Sequence, residues 1–265
     1  MTTMTTYAEG TFCWAELSSL DVERSKAFYR DTMGWQFQEL PAAPGETYTQ
    51  CLVKGQTVAA LTPMPAEAKA ARREPYWTNY VAVSDVDATL AKARELGAEI
   101  TVPAMDVMTA GRMALFKDRQ GAELGLWQAR EHTGAQLLNE PGAMCWVELA
   151  TRDSDPATDF YGALFGWTFR ETNMTPRGYK EITCGGRPQG AILTMNEDWT
   201  ADAPNQWNPY FLVEDCRTTT TKAMELGSRI FERPRGGGGT MFAIYIDPVR
   251  APMRLISRAP RAKSA

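Results

Sequence analysis

Short apolar runs alternate along this chain with stretches of helical spacing. The run Tyr80 to Val83 leads to Asp85, a residue suited to cap a helix. Val86, Leu90, Ala93 and Leu96 then recur at helical intervals up to Gly97. The same order returns in Tyr210 to Val213, Asp215, then Ala223 and Leu226 before Gly227. An apolar run over 12–18 precedes a helix from about Asp21 to Met33, and a run over 144–150 precedes one from about Asp153 to Phe165. Three strand-like runs follow each helix: 35–39, 48–54 and 57–62; 98–102, 112–117 and 122–127; 167–171, 179–184 and 189–194; 228–232, 240–246 and 252–257. The pattern predicts an α+β protein of four β-α-β-β-β modules, near 10–65, 74–130, 142–197 and 205–258.

The modules are duplicated in pairs. Cys13, Trp14, Glu16 and Leu17 return as Cys145, Trp146, Glu148 and Leu149, Phe28-Tyr29 as Phe160-Tyr161, and Gly34-Trp35 as Gly166-Trp167, all 132 positions on. A repeat of about half the chain is one structural unit used twice. It divides the sequence into an N-terminal domain at 8–130, a linker at 131–141, a C-terminal domain at 142–258 and a tail at 259–265. Pro/Ala-rich connectors, Pro63 to Glu74 and Asn196 to Gln206, separate the modules within each half.

Composition narrows the function classes. The net charge of −4 is spread over mixed acids and bases, which leaves no nucleic-acid footprint. Arg72-Arg73 and the stretch Arg258 to Lys263 read as solvated surface. The first residues carry no secretory pattern, and no apolar run approaches the ~20 residues of a membrane span. The five cysteines lack CxxC spacing and read as reduced thiols of a cytoplasmic protein, with Cys13 and Cys145 packed as small hydrophobes. The expected partner is a small-molecule metabolite, with no nucleic acid and no membrane, and the chain a monomer or homodimer.

The paired modules, with four residues between Phe-Tyr and Gly-Trp at each first helix end, resemble the vicinal oxygen chelate superfamily of glyoxalases, extradiol dioxygenases and bleomycin-resistance proteins. Ala110 to Met113 and the run Gly125 to Gly142 are similar to a subgroup of duplicated bacterial members. The resemblance implies two glyoxalase-like domains, each curved into a half-open cup. It also implies metal ligands on the first and last strands of each module. Those positions fall here on Trp14, Thr78 and Gly125 in one half, and on Trp146, Asn208 and Arg254 in the other. The strands at 57–62 and 189–194 contain no acid and no His, and the single His of the chain, His132, lies in the linker. A catalytic metal wants about three His, Asp or Glu donors. The expectation is therefore no metal and no cofactor.

Other chemistry must come from what remains. Strand alternation sends Glu16 and Glu148 to the same side as Trp14 and Trp146. A carboxyl in an aromatic pocket has a raised pKa and suits proton transfer, whereas the plainer reading is a structural Glu bonded to a neighbouring strand. Tyr48 and Tyr179 are matched candidates to donate to a ligand oxygen, or plain surface-reaching tyrosines. Trp14, Trp146, Tyr80 and Tyr210 are candidate apolar walls or ordinary core, while Trp35 and Trp167 read as domain core. Thr78 and Asn208 complete the set of ligand-facing candidates. Arg112 is a candidate for a ligand carboxylate, or a salt bridge between modules. Arg254 sits where an uncompensated charge is costly, and is expected to pair with an acid such as Glu148 or with an anionic ligand. His132 is expected to make a docking hydrogen bond between halves, and Gly236 to Gly239 a flexible lip. Two readings follow: a metal-independent isomerase, cyclase or lyase acting on a small apolar or aromatic metabolite, or a sequestering protein of the bleomycin-resistance type.

Overall fold

A computed structural model describes residues 3–42, 47–172, 178–237 and 239–258. The first module is β1 (Phe12–Ser19), α1 (Val22–Met33), β2 (Gln36–Pro41), β3 (Thr47–Val53) and β4 (Gln56–Pro63). A five-residue helix, α2 (Ala66–Ala70), occupies the connector, where the sequence predicted no element. The second module is β5 (Tyr76–Ala82), α3 (Val86–Glu95), β6 (Glu99–Val107), β7 (Gly111–Lys117) and β8 (Glu123–Ala129). The third is β9 (Met144–Thr151), α4 (Ser154–Phe165), β10 (Thr168–Glu171), β11 (Tyr179–Cys184) and β12 (Arg187–Thr194). The fourth is β13 (Gln206–Leu212), α5 (Cys216–Glu225), β14 (Arg229–Gly237), β15 (Thr240–Ile246) and β16 (Pro252–Arg258). The last tail lies outside the described residues.

Four aspartates start the main helices. Asp21, Asp85, Asp153 and Asp215 each sit in extended backbone and accept a hydrogen bond from a main-chain N–H of the first turn. Gly34 and Gly166 end α1 and α4 in the left-handed region, at φ of 69° and 70°, which a side chain would oppose. β6 and β14 run on to Val107 and Gly237, well beyond the apolar runs that marked them. Gly236 and Gly237 are paired with Met241 and Thr240 in the β14–β15 hairpin, so these two are ladder residues, not a free lip. Gly238 is outside the described residues.

Each half forms one eight-stranded sheet, ordered β2-β3-β4-β1-β5-β8-β7-β6 and β10-β11-β12-β9-β13-β16-β15-β14. The first strands of paired modules, β1 with β5 and β9 with β13, run antiparallel at the centre. Side chains alternate across them. Ala15, Leu17, Trp77 and Val81 enter the main core, while Trp14, Glu16, Thr78 and Tyr80 take the opposite face.

The helical faces of the two sheets share that core. Trp35 meets Phe211 at 5.4 Å between ring centroids, Phe12 meets Trp207 at 5.3 Å, and Phe28 meets Tyr245 at 5.8 Å. Such aromatic pairs add about 0.5–1.5 kcal/mol each beyond burial. Hydrogen bonds cross the seam in a two-fold pattern. Tyr29 donates to Asp247 and Tyr161 to Asp118, both at 2.9 Å, while Trp35 and Trp167 donate to the carbonyls of Gly142 and Gly10. Trp35 and Trp167 are thus core residues at the boundary between halves. The opposite faces, which carry Trp14, Glu16, Trp146 and Glu148, lie away from that core.

Candidate functional site

Each cup is floored by a glutamate set among hydroxyls. In the N-terminal cup, Thr78 lies directly across β5 from Glu16. Trp14 Nε1 donates to the Tyr48 hydroxyl at 2.8 Å, and Tyr48 in turn bonds the Glu16 carboxylate. Thr62 Oγ1 reaches Glu16 Oε1 at 3.4 Å. Burial raises the Glu16 pKa, and the Tyr48 and Thr62 hydrogen bonds partly offset it.

The C-terminal cup repeats this chain and adds a second phenol to the carboxylate. Trp146 Nε1 donates to the Tyr179 hydroxyl at 3.1 Å, Tyr179 bonds Glu148, and Tyr210 donates to Glu148 Oε1 at 3.2 Å. Asn208 lies opposite Glu148 across the strands and gives its side-chain amide to the Gln206 carbonyl at 3.1 Å. Burial pushes the Glu148 carboxyl up to about 6, against the pull of Arg254 and of the two phenols. Burial also lowers the Arg254 pKa, opposed by Tyr210 and Glu148. A carboxyl that titrates near 6 exchanges protons readily at neutral pH.

The two cups differ in how far they are filled. Cys13, Trp14, Ala60, Tyr80, Trp127 and Ala135 form an apolar cluster in the N-terminal half, with Tyr7, Tyr48 and Leu138 against it. Trp14 is only 4% exposed there, whereas Trp146 is partly exposed. Where β8 carries Trp127 beside Ala82, β16 carries Ile256 beside Leu212.

Two expectations are corrected. Arg112 does not face a cup, and it does not tie modules together. It lies on the helical side of β7 and bonds Asp87 of α3 at 2.7 Å and Asp106 of β6 at 3.0 Å, all within one module. Its parity on the strand, opposite to Met113 and Leu115, decides this. Among the described residues, His132 makes no docking bond between halves. Its ring packs edge-on against Trp14 at 4.6 Å and near Trp127 at 5.7 Å, and its buried Nε2 has no hydrogen-bond partner. Burial pushes its pKa down to about 4. The Trp127 indole donates to the His132 carbonyl at 2.8 Å, which fixes the start of the linker against this cup. Neither contact has a local sequence signal.

The Glyoxalase/Bleomycin resistance protein/Dioxygenase superfamily model matches residues 13–126. A Mycobacterium tuberculosis protein, named provisionally as glyoxylase CFP32, is 34% identical over 96% of this chain and 97% of its own length. The chain belongs to this superfamily. The anthracycline biosynthesis protein DnrV of Streptomyces peucetius is 31% identical, over 92% of each chain. Among solved structures, the 2,3-dioxygenase LapB from Pseudomonas sp. KL28 has a TM-score of 0.67 at 14% identity, covering 98% of this chain and 97% of its own. The Mn(II)-bound glyoxalase from Novosphingobium aromaticivorans has a TM-score of 0.64 at 15% identity, covering 94% and 82%. These two share the fold.

Metal-dependent members raise the question of a metal here. The positions that the resemblance assigns to ligands carry Trp14, Thr78 and Gly125 in one cup and Trp146, Asn208 and the buried cation Arg254 in the other. Among the described residues, no three His, Cys, Asp or Glu side chains gather around a point. One glutamate per cup, bonded to hydroxyls, does not fit a divalent ion that wants three such donors.

Proposed function

We propose that the C-terminal cup binds a small, largely apolar aromatic metabolite and moves a proton on it without a metal ion, in an isomerisation, cyclisation or elimination. The observation that carries this is Glu148, buried among Trp146, Tyr179 and Tyr210 and ionising at about 6. Its carboxylate would take a proton from a carbon next to a ligand carbonyl. A protonated carboxyl accepts hydrogen bonds more weakly, so the Tyr179 and Tyr210 hydroxyls would turn to the oxygen on which charge develops. Glu148 would then return the proton to a second carbon, or to a leaving oxygen. The relatives named for anthracycline biosynthesis support planar, oxygenated polycyclic aromatics as the ligand class. No helix among the described residues is long and apolar enough to cross a membrane.

The test uses hydroxylated polycyclic ketones in D2O, with mass spectrometry to follow deuterium uptake at exchangeable carbons. Wild type should accelerate uptake equally with and without a chelator, and Glu148→Gln should lose it while binding within about twofold. Uptake that needs added divalent metal, or that survives in Glu148→Gln, would sink the mechanism. Tight binding with no uptake in wild type would leave the sequestering protein as the function, a role that the apolar walls Trp146 and Tyr210 serve equally well.

A further inference from the structure

One position separates the two cups electrically. β8 runs parallel to β5 and sets Gly125 beside Tyr80, and β16 runs parallel to β13 and sets Arg254 beside Tyr210. A Cβ on Gly125 would stand 2.3 Å from the Tyr80 ring. That ring therefore fills the space that a longer side chain would need. In the other cup the space holds a guanidinium only 7% exposed.

No Arg254 nitrogen is both buried and without a partner. A guanidinium has five N–H donors. Tyr210 shares a hydrogen bond with it, and Glu148 acts on it through space. None of the ion pairs closer than 4.0 Å among the described residues includes it. The donors that Tyr210 does not hold therefore keep access to the cup, where an anionic oxygen would bond a cation that burial otherwise penalises. Two further carboxylates near the cups have cation partners. Glu123 is paired with Arg73 at 3.6 Å on the N-terminal side, and Glu181 with Arg170 at 2.8 Å on the C-terminal side. What is left is Glu16 alone in one cup and Glu148 with Arg254 in the other.

We propose that this position divides the ligands. The C-terminal cup takes a planar molecule through an anionic oxygen, a carboxylate, phenolate or enolate, held by Arg254. The N-terminal cup, with Glu16 and no cation, takes neutral molecules only. This rests on the C-terminal cup being a binding site, but not on its turning over a substrate.

The experiment compares 2-naphthoate with 2-naphthamide, which share a shape and differ in charge, by calorimetric titration of the full chain. A charge-assisted bond of the usual strength gives the acid at least about a tenfold preference, at one acid per chain. Arg254→Met should abolish the preference by weakening the acid more than the amide, and Arg254→Lys should keep part of it. If Arg254→Met fails to fold, Glu148→Gln with Arg254→Met removes both buried charges and must show the same loss. Equal affinity of acid and amide in wild type, two equivalent acid sites per chain, or a preference that survives without Arg254 overturns the division. Failure of both probes to bind at millimolar concentration overturns the cup as a site, and the proposed function with it. A preference that persists when deuterium uptake is absent leaves this inference standing and removes the catalytic reading.

Discussion

Replacing Glu148 with Gln isolates what burial does to one carboxyl. The group ionises at about 6 in the folded chain and at 4.5 when exposed to water. A gap of about 1.5 pH units is worth about 2 kcal/mol, at 1.36 kcal/mol per unit. The sign follows from which state loses its proton first. Below about pH 4.5 the carboxyl is neutral in both states and adds no pH dependence. Between about 4.5 and 6 the unfolded chain ionises while the folded one resists, and stability falls. Above 6 both are ionised and the full loss of about 2 kcal/mol is in place. Gln has no proton to lose. Whatever stability difference separates Glu148→Gln from wild type at pH 4, it should shift by about 2 kcal/mol in favour of the variant by pH 7.5. Equilibrium urea unfolding at closely spaced pH values measures this. Other buried acids, such as Asp247, are present in both proteins and cancel. Parallel curves for the two proteins would refute the burial argument. A shift of opposite sign would mean that Arg254 outweighs burial.

Further outcomes follow from other contacts. Tyr29→Phe removes the phenol that donates to buried Asp247 and should cost about 1–3 kcal/mol, read as a lower urea midpoint in a single transition, because both halves share that core. Gly190→Ala would put a Cβ 2.2 Å from the Val147 carbonyl oxygen, which is backbone, and should depress the thermal midpoint more than Gly125→Ala, whose neighbour is the Tyr80 side chain. His132 is neutral and buried when folded, with a pKa of about 4 against 6.5 in water, so its contribution is full above pH 6.5 and is lost as pH falls towards 4. Between pH 7 and 5 the wild-type midpoint should therefore drop more than that of His132→Gln. Arg112→Ala breaks two solvent-exposed ion pairs and a long bond to the Ala104 carbonyl, and should leave both the midpoint and naphthoate binding within error.

The modules and their strands were legible because they are local. Apolar runs and capping aspartates report what a few neighbouring residues do, and the observed elements start at or near the predicted positions. The placement of Trp14 with Glu16, and of Trp146 with Glu148, followed from strand parity in the same way. Arg112 was misplaced although it obeys the same parity. A residue beside Gly111 at a strand entry gives no clue to which face its strand buries until the sheet is assembled. His132 was misplaced because its neighbours, Trp14 and Trp127, come from two strands that meet only in the folded sheet. The Tyr80 ring over Gly125 is likewise invisible in sequence, since β5 and β8 are the first and last strands of one module, with α3, β6 and β7 between them. The bonds Tyr29 to Asp247 and Tyr161 to Asp118 span 218 and 43 positions, beyond the reach of any spacing rule.

Those crossed bonds have a consequence for how the two cups can change. Tyr29 and Asp247, and Tyr161 and Asp118, are the kind of reciprocal contact by which two identical chains would join about a two-fold axis. In such a pair every substitution is made twice, and a cation placed in one cup is also placed in the other. A single chain lifts that constraint while keeping the interlocked core that holds both halves in register. Gly125 and Arg254 are a difference that two identical chains could not carry: one scaffold, built twice, with two cups free to answer to different selection.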